Sequence, residues 1–372
     1  MKLKNILSMV CFLCLAVSCS MDDETVMNDI SKEIEATQGE GKEAFVAVQM
    51  NFGELATKSV TAGNSDNTTD QEINNLALFL LDGDNVINKA FFEKDQFTRD
   101  EDGTLKTSEG EVFGFLTKKK NTLSMIAVAN TDANILAKTT RSAIETYAAT
   151  LDNCTKYKEV NNFGWLKKDG QTAYPGYEKI NGADGALAQA PAFVKIVLQQ
   201  SYARVELASF NVKRNEETTK DVSVKLTGVK LYNINTNGQV NGTEKNFSGK
   251  DDSFPNLTFS CMTSEEACKT EKGLNLLVNN ASDHYFRTFA YNYKNSDDSD
   301  KMKMEISYEV GVNKYTKVCV IEGRTADLQA VEAGYIYRLN LTVTVKANEV
   351  DCDVVCYTQD WIPNEISGTL TR

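Results

Sequence analysis

The chain has 372 residues and a formal net charge of −12, with 52 acidic against 40 basic side chains. Hydrophobic residues make up 41% and charged residues 25%, the balance of a folded protein rather than a disordered one. The acidic surplus, with no basic cluster, argues against nucleic acid as a partner, and four prolines are too few for a Pro-rich stalk. A single histidine, His284, argues against a His-ligated metal cluster or a Ser-His-Asp triad.

Lys2 and Lys4 precede an apolar run from Ile6 to Val17, interrupted at Ser8. Such a run is too short for a mature membrane-spanning helix and suits the core of a signal peptide. It ends in Leu15-Ala16-Val17-Ser18-Cys19, and small residues before a cysteine resemble a bacterial lipobox, whose thiol is acylated and becomes the mature N-terminus. Residues 1–18 are then a signal peptide and Cys19 the lipidation site; the alternative is an ordinary secretory signal with an incidental cysteine. Asp22-Asp23-Glu24 resemble the surface-export signal of Bacteroides-type lipoproteins, or form a solvated acidic tether. Two or three acyl chains hold a protein durably on a membrane. Residues 19–42 are polar, with one short helix possible over Asp29–Gln38, and read as a lipidated tether.

Strand patterns begin at Glu43. EAFVAVQMNF, ending at Phe52, is a run of strand formers, followed by a polar loop through Thr57-Lys58-Ser59 and from Thr61 to Gln71. Leu76 to Leu81 is a continuous apolar strand ending in the turn residues Asp82-Gly83-Asp84-Asn85, with Val86 to Phe92 as its hairpin partner. Asn121 to Asn130 is a further apolar strand. The one clear helical candidate spans Asn134 to Thr150, with Ile135, Leu136, Ile144 and Tyr147 on its apolar side.

Ala192 to Gln199 alternates, with Val194, Ile196 and Leu198 on one face. Ser201 to Val212 sets Tyr202, Arg204, Glu206 and Ala208 against Val205, Leu207 and Phe210. Two strands with almost no turn between them imply a crossover, which puts a domain boundary near Gln200. Beyond it, Val222–Tyr232, His284–Tyr293, Met302–Val312, Tyr315–Glu322, Tyr335–Lys346 and Val350–Ile362 read as strands. In Tyr335–Lys346 the residues Tyr335, Tyr337, Leu339, Leu341, Val343 and Val345 share one face. Sustained period-2 patterning in both halves predicts an all-β fold of two tandem β-sandwiches, residues 43–200 and 201–372, with one short helix in the first.

Catalytic chemistry is thin. Cysteine spacings fit no zinc pattern; Cys261 and Cys268 could pair across a loop, or remain free thiols. His284 beside Tyr285 and Phe286 reads as a structural histidine. Acidic pairs such as Asp82/Asp84, Asp251-Asp252 and Asp297-Asp298 lie in turns, and no Gly-rich phosphate loop opens a helix. No cofactor, no metal and no enzyme activity are expected.

Four segments taken in order carry a resemblance. They are the lipobox; EAFVAVQMNF with Thr57-Lys58-Ser59 and INNLALFLLDGD; NTLSMIAVANTDA at 121–133; and Tyr335–Lys346 with Tyr357-Thr358-Gln359-Asp360-Trp361-Ile362. Together they resemble the FimA-type fimbrillins, subunits of type V pili, and SYARVELASFNVK at 201–213 resembles the opening of that family's second domain. The resemblance implies two transthyretin-like sandwiches and a lipoprotein precursor at the outer membrane. It also implies a trypsin-like protease that removes the first strand, and a groove refilled by a strand of another pilus subunit. On this chain the removable strand falls at residues 43–58, the cut at Lys58 and Ser59, and the donor strand at Val350–Ile362, with Val354, Tyr357, Trp361 and Ile362 best placed for burial. The family is commonly cut after arginine, whereas no arginine precedes Arg99 here, so Lys58 must serve or the strand stays as in an anchor subunit. The alternative function is a surface adhesin or glycan-binding lipoprotein, with Trp165, Tyr174 and Tyr177 as loop aromatics that could stack on sugars.

Overall fold

The structure is a computed structural model, which describes residues 43–52, 70, 72–100, 104–108, 113–118, 120, 122–161, 163, 192–214, 221–255, 260–262, 285–292, 301–321, 323, 330–346 and 350–360. Strands dominate. The first half holds β1 (Glu43–Asn51), β2 (Asn75–Asp82), β3 (Asn85–Glu93), β4 (Phe97–Arg99), β5 (Thr104–Thr107) and β6 (Phe113–Lys118). It continues with β7 (Leu123–Ala129), β8 (Ala148–Ala149), β9 (Lys156–Val160), β10 (Ala192–Val197) and β11 (Gln199–Gln200). The second half begins with β12 (Ala203–Arg214), β13 (Ser223–Asn235), β14 (Gly238–Gln239), β15 (Gly249–Pro255), β16 (Ser260–Met262) and β17 (Tyr285–Thr288). It ends with β18 (Tyr291–Asn292), β19 (Lys303–Val310), β20 (Asn313–Val320), β21 (Ala330–Val331), β22 (Tyr335–Val345) and β23 (Val350–Asp360).

Four main sheets form two sandwiches. The first sheet runs β10-β1-β5-β4, with β6 also on β1, and faces a second sheet, β11-β9-β7-β2-β3. Between them lies a core of Val46, Val48, Met50, Leu105, Phe113, Val194 and Ile196 against Leu76, Leu78, Leu80, Met125 and Ala127. The third sheet, β17-β12-β22-β23, faces the fourth, β15-β13-β19-β20 with β16 on β13. Their core sets Val205, Leu207, Tyr337, Leu339, Leu341 and Val343 against Val224, Leu226, Met304, Ile306 and Tyr308. β10 and β12 do not pair with each other: β10 runs parallel to β1 and β12 parallel to β22, so the chain crosses from one sandwich to the next at Gln200–Ala203.

Residue pattern explains these assignments. From Leu339 onward β22 alternates because only one face is buried, whereas at its start Ile336 and Arg338 are buried as well as Tyr337 and Leu339. β2 and β7 read as unbroken apolar runs because both of their faces are buried. Ala77, Phe79, Leu81, Ile126 and Val128 turn away from the first core into a third cluster with Ile135, Ile144, Tyr202, Val240, Phe289 and Ile336, which joins the two sandwiches. A short ladder of β8 and β14 crosses the same joint.

β12 and β13 break strict alternation. In β12 the core face passes from Val205 and Leu207 to Phe210 and Val212, with a register irregularity between Leu207 and Ser209. In β13 it passes from Val224 and Leu226 to Val229 and Leu231 and back to Ile234, with irregularities at both changes. One extra residue in a strand moves the following side chains to the other face, which is what a bulge does.

The helix expected over Asn134–Thr150 is corrected. A 3-10 turn covers Ala133–Ala137 and a five-residue helix, α1, covers Arg141–Glu145, with β8 following. Between them Thr139 accepts a hydrogen bond from the Val86 amide, and Thr140 bridges to Asn85 and caps α1 by accepting from the Ala143 amide. The hairpin partner thus draws the middle of the predicted helix into extended backbone. Its apolar side is nonetheless the buried one, through Ile135 and Ile144. The strand expected over His284–Tyr293 is likewise two pieces, β17 and β18, parted at Phe289-Ala290, with His284 itself outside the described residues.

Candidate functional site

β1 lies inside its sheet, not at an edge. One side runs parallel to β10, from Val46 opposite Ala192 to Asn51 opposite Val197. The other side runs antiparallel to β6, from Glu43 opposite Lys118 to Val48 opposite Phe113, and then to β5 at Met50 and Asn51. Val46, Val48, Met50 and the following Phe52 are fully buried. Burying such side chains contributes roughly 1.5–3 kcal/mol each, on the order of 6–12 kcal/mol for the four. That rivals the whole stability of a typical domain, about 5–15 kcal/mol, so a sandwich with β1 removed and nothing in its place would be near unfolding.

The described residues on either side of positions 53–69 are held differently. At the upstream end Asn51 accepts a hydrogen bond from the Leu198 amide at 3.1 Å. Arg99 donates through Nη2 to the Phe52 carbonyl, and its guanidinium lies 5.6 Å from the centre of the Phe52 ring. The Lys156 ammonium lies 4.8 Å from the same ring and donates to the Glu72 and Cys154 carbonyls, each at 2.9 Å. Burial pushes the Lys156 pKa down to about 8.

At the downstream end Asp70, 2% exposed, is fixed by the second sandwich. It accepts from the Tyr202 hydroxyl at 2.6 Å and from Arg287 Nε at 2.8 Å, and Arg204 Nη1 stands 3.8 Å away. The Asp70 carbonyl accepts from Gln200 Nε2 at 2.8 Å, and the Cys154 thiol lies 3.6 Å from Oδ1. Burial raises the Tyr202 phenol far above its ordinary range, and the Asp70 charge adds to it. For Arg287 burial works the other way, but Asp70 outweighs it and the guanidinium is held above its usual value. A second ion network continues across the outer face of the third sheet, where Glu206 takes Arg204 at 2.9 Å and Arg338 at 2.6 Å.

Lys58 and Ser59 lie between these two anchors, outside the described residues, as do Cys19, Trp361, Ile362, Cys268, Trp165, Tyr174 and Tyr177. β23 is described as the edge of the third sheet. It pairs antiparallel with β22 along its whole length, Val350 opposite Val345 and Asp360 opposite Tyr335. Val354 stands at the register position of the core residue Leu341, and Tyr357 at that of Arg338. The structure therefore docks the expected donor strand on its own sandwich, far from β1 in the sheet order.

Asp70, Arg99, Lys156 and Arg287 were not singled out by the sequence. Asp70 is hidden in a polar loop composition; the only trace of its partners is the alternation that places Tyr202, Arg204 and Glu206 on one side of β12. Among the described residues no group of three or more His, Cys, Asp or Glu side chains could hold a metal ion, and Cys154 and Cys319 are free thiols.

No protein-family model matches the chain, and no curated protein matches it in sequence. Solved structures do match. A proposed cell adhesion protein from Parabacteroides distasonis superposes with a TM-score of 0.52 at 13% identity, over 88% of this chain and 99% of that one. A fimbrilin from Porphyromonas gingivalis gives 0.48 at 12% identity, over 85% of this chain and 98% of that one. The tip fimbrial protein Mfa3 of Porphyromonas gingivalis, truncated at its C-terminus, gives 0.48 at 11% identity, over 86% and 100%. The first of these similarities establishes a shared two-sandwich fold along nearly the whole chain.

Proposed function

We propose that this chain is a structural subunit of a cell-surface type V pilus, assembled when a trypsin-like protease cuts after Lys58 and an incoming strand replaces β1. The observation that carries the reading is the position of β1. It is the first described strand, it fills the middle of its sheet, and it is followed by a segment whose far end is fastened to the other sandwich at Asp70. A cut between Phe52 and Asp70 frees β1 and leaves both sandwiches joined. The vacated groove would offer backbone donors and acceptors on both flanks and a row of apolar pockets, which a strand of another subunit can satisfy.

In this reading Cys19 carries the lipid that brings the precursor to the outer membrane, and the role is mechanical rather than enzymatic. The fold shared with a proposed cell adhesion protein supports it. The deciding experiment is mass spectrometry of the N-terminus of surface-extracted protein, beside electrophoresis under mild denaturation. A mature start at Ser59 with a ladder of stable oligomers is expected. An uncut protein that stays monomeric after trypsin treatment would refute the assignment.

A further inference from the structure

We propose that Cys319 and Cys356 form a disulfide that closes the open side of the second sandwich, tying its last strand, β23, to the edge strand of the facing sheet.

The sheet orders bring the two strands together. The third sheet runs β17-β12-β22-β23 and the fourth β15-β13-β19-β20. At one margin Phe254 of β15 packs on Phe286 of β17, with ring centres 4.6 Å apart. In the middle Phe210 of β12 meets Tyr308 of β19 at 6.5 Å. The remaining margins, β23 and β20, therefore face each other across the same core. Cys319 of β20 is half-buried against that core, opposite Met304. Residues directly opposite in an antiparallel ladder share a face of the sheet. On β23 the positions opposite the core residues Val345, Val343, Leu341, Leu339 and Tyr337 are Val350, Cys352, Val354, Cys356 and Thr358. That face is free of charge, whereas the other carries Asp351 and Asp353.

Distance along the strands selects Cys356. The joint sets a common level, because the Thr288 hydroxyl accepts from the Asn235 amide at 3.0 Å and Thr288 pairs with Ala203. Leu231, four residues before Asn235, pairs with Met304, which pairs with Cys319. Leu207, four residues after Ala203, pairs with Leu339, which pairs with Cys356. Cys352 lies four residues further along β23, roughly 13 Å at about 3.3 Å per residue, whereas a disulfide needs Cα atoms within about 7 Å. Cys261, on β16, lies across β13 from β19 and β20.

The chemistry is thiol–disulfide exchange, and its oxidant is a small-molecule disulfide such as glutathione disulfide. The Cys319 thiolate attacks one glutathione sulfur and releases a glutathione thiolate; the Cys356 thiolate then displaces the second. The two cysteines lose two electrons and two protons, and one glutathione disulfide becomes two thiols. Export, as the signal peptide implies, brings the chain where such a bond persists. While the bond stands, residues up to Cys356 stay on this chain's own β22.

The test incubates the purified full chain with glutathione disulfide, blocks remaining thiols with N-ethylmaleimide and digests with trypsin without reductant. Mass spectrometry should find residues 318–324 joined to residues 347–372. Reduction should release both peptides and lower the unfolding temperature of the intact chain by roughly 5–10 °C. Cys352→Ser should keep the link and Cys356→Ser should lose it. Cys319→Ser, at a half-buried position, should lose both the link and the greater part of that temperature drop. A link that survives Cys356→Ser and vanishes in Cys352→Ser would overturn the pairing. Absence of the linked peptide from unmutated chain with a strand-rich circular dichroism spectrum would overturn the cross-link itself.

Discussion

Asp70 and Arg287 stand 217 positions apart in sequence, yet Arg287 Nε donates to Asp70 Oδ1 at 2.8 Å across the joint between the sandwiches. Tyr202 and Arg204 converge on the same carboxylate. One acidic residue therefore gathers β12 and β17 of the second sandwich onto the segment that leads into β2 of the first.

Removing that carboxylate should be expensive. Asp70→Ala removes the carboxylate that accepts from Arg287 Nε and from the Tyr202 hydroxyl, and breaking a buried pair from one side typically costs about 3–5 kcal/mol. Guanidinium unfolding should show a lower midpoint and a single transition split into two, as the sandwiches come apart before either melts. An unchanged midpoint would contradict this.

Lys156 predicts a pH dependence of definite sign. Its pKa is lowered from 10.5 to about 8 by burial, so from pH 8 to 10.5 the unfolded chain holds a proton there that the folded chain has released. Stability from this residue is weakest below pH 8 and rises as the pH passes through that window. Lys156→Met should remove that rise, and the difference between the two unfolding midpoints should narrow or invert from pH 7 to pH 10.

Gly238 marks how tightly the joint is built. A Cβ placed on it would lie 2.1 Å from Cδ1 of Phe289, whose ring is fully buried in the joining cluster. Gly238→Ala should destabilise by about 1–3 kcal/mol, the usual cost of overfilling a core. Phe289→Leu in the same chain should recover part of that loss, so the double variant should be less damaged than the sum of the two single ones.

Lys58→Ala should block both the early tryptic cut and ladder formation. While the chain from Phe52 to Asp70 is intact, β1 remains tied to Asp70, and a strand that slips out returns at the millimolar effective concentration of a short linker. Cutting the chain there turns that return into an encounter between separate molecules. Ladders forming from uncut Lys58→Ala protein would show that release does not depend on this bond.

The sequence was most informative where one face alone decides burial. Tyr337, Leu339, Leu341, Val343 and Val345 lie on the predicted face of β22, and Val194, Ile196 and Leu198 on that of β10 and the residue after it. Periodicity misled at 134–150, where Ile135 and Ile144 recur at helical spacing but Thr139 and Thr140 are claimed by the β2–β3 hairpin. β13 hid its core face because its bulges switch that face twice. Asp70 could not have been found from neighbours in sequence: its partners are Tyr202 and Arg287, and a buried carboxylate in a polar loop has the same composition as an exposed one.

The direction of β1 has a consequence for architecture. It runs parallel to β10 and antiparallel to β6, so its two flanks present different hydrogen-bonding patterns, and a replacement that preserves both can enter in one sense only. In the proposed assembly the receiving surface lies in the first sandwich, whereas the donor segment expected at Val350–Ile362 runs along β22 of the second. Contacts between unlike patches are heterologous: they pass a fixed rotation and advance from each copy to the next, and unless that rotation closes they never return on themselves. A chain so arranged has a leading and a trailing end, and its copies would add into a one-way screw whose polarity is already written in a single parallel ladder.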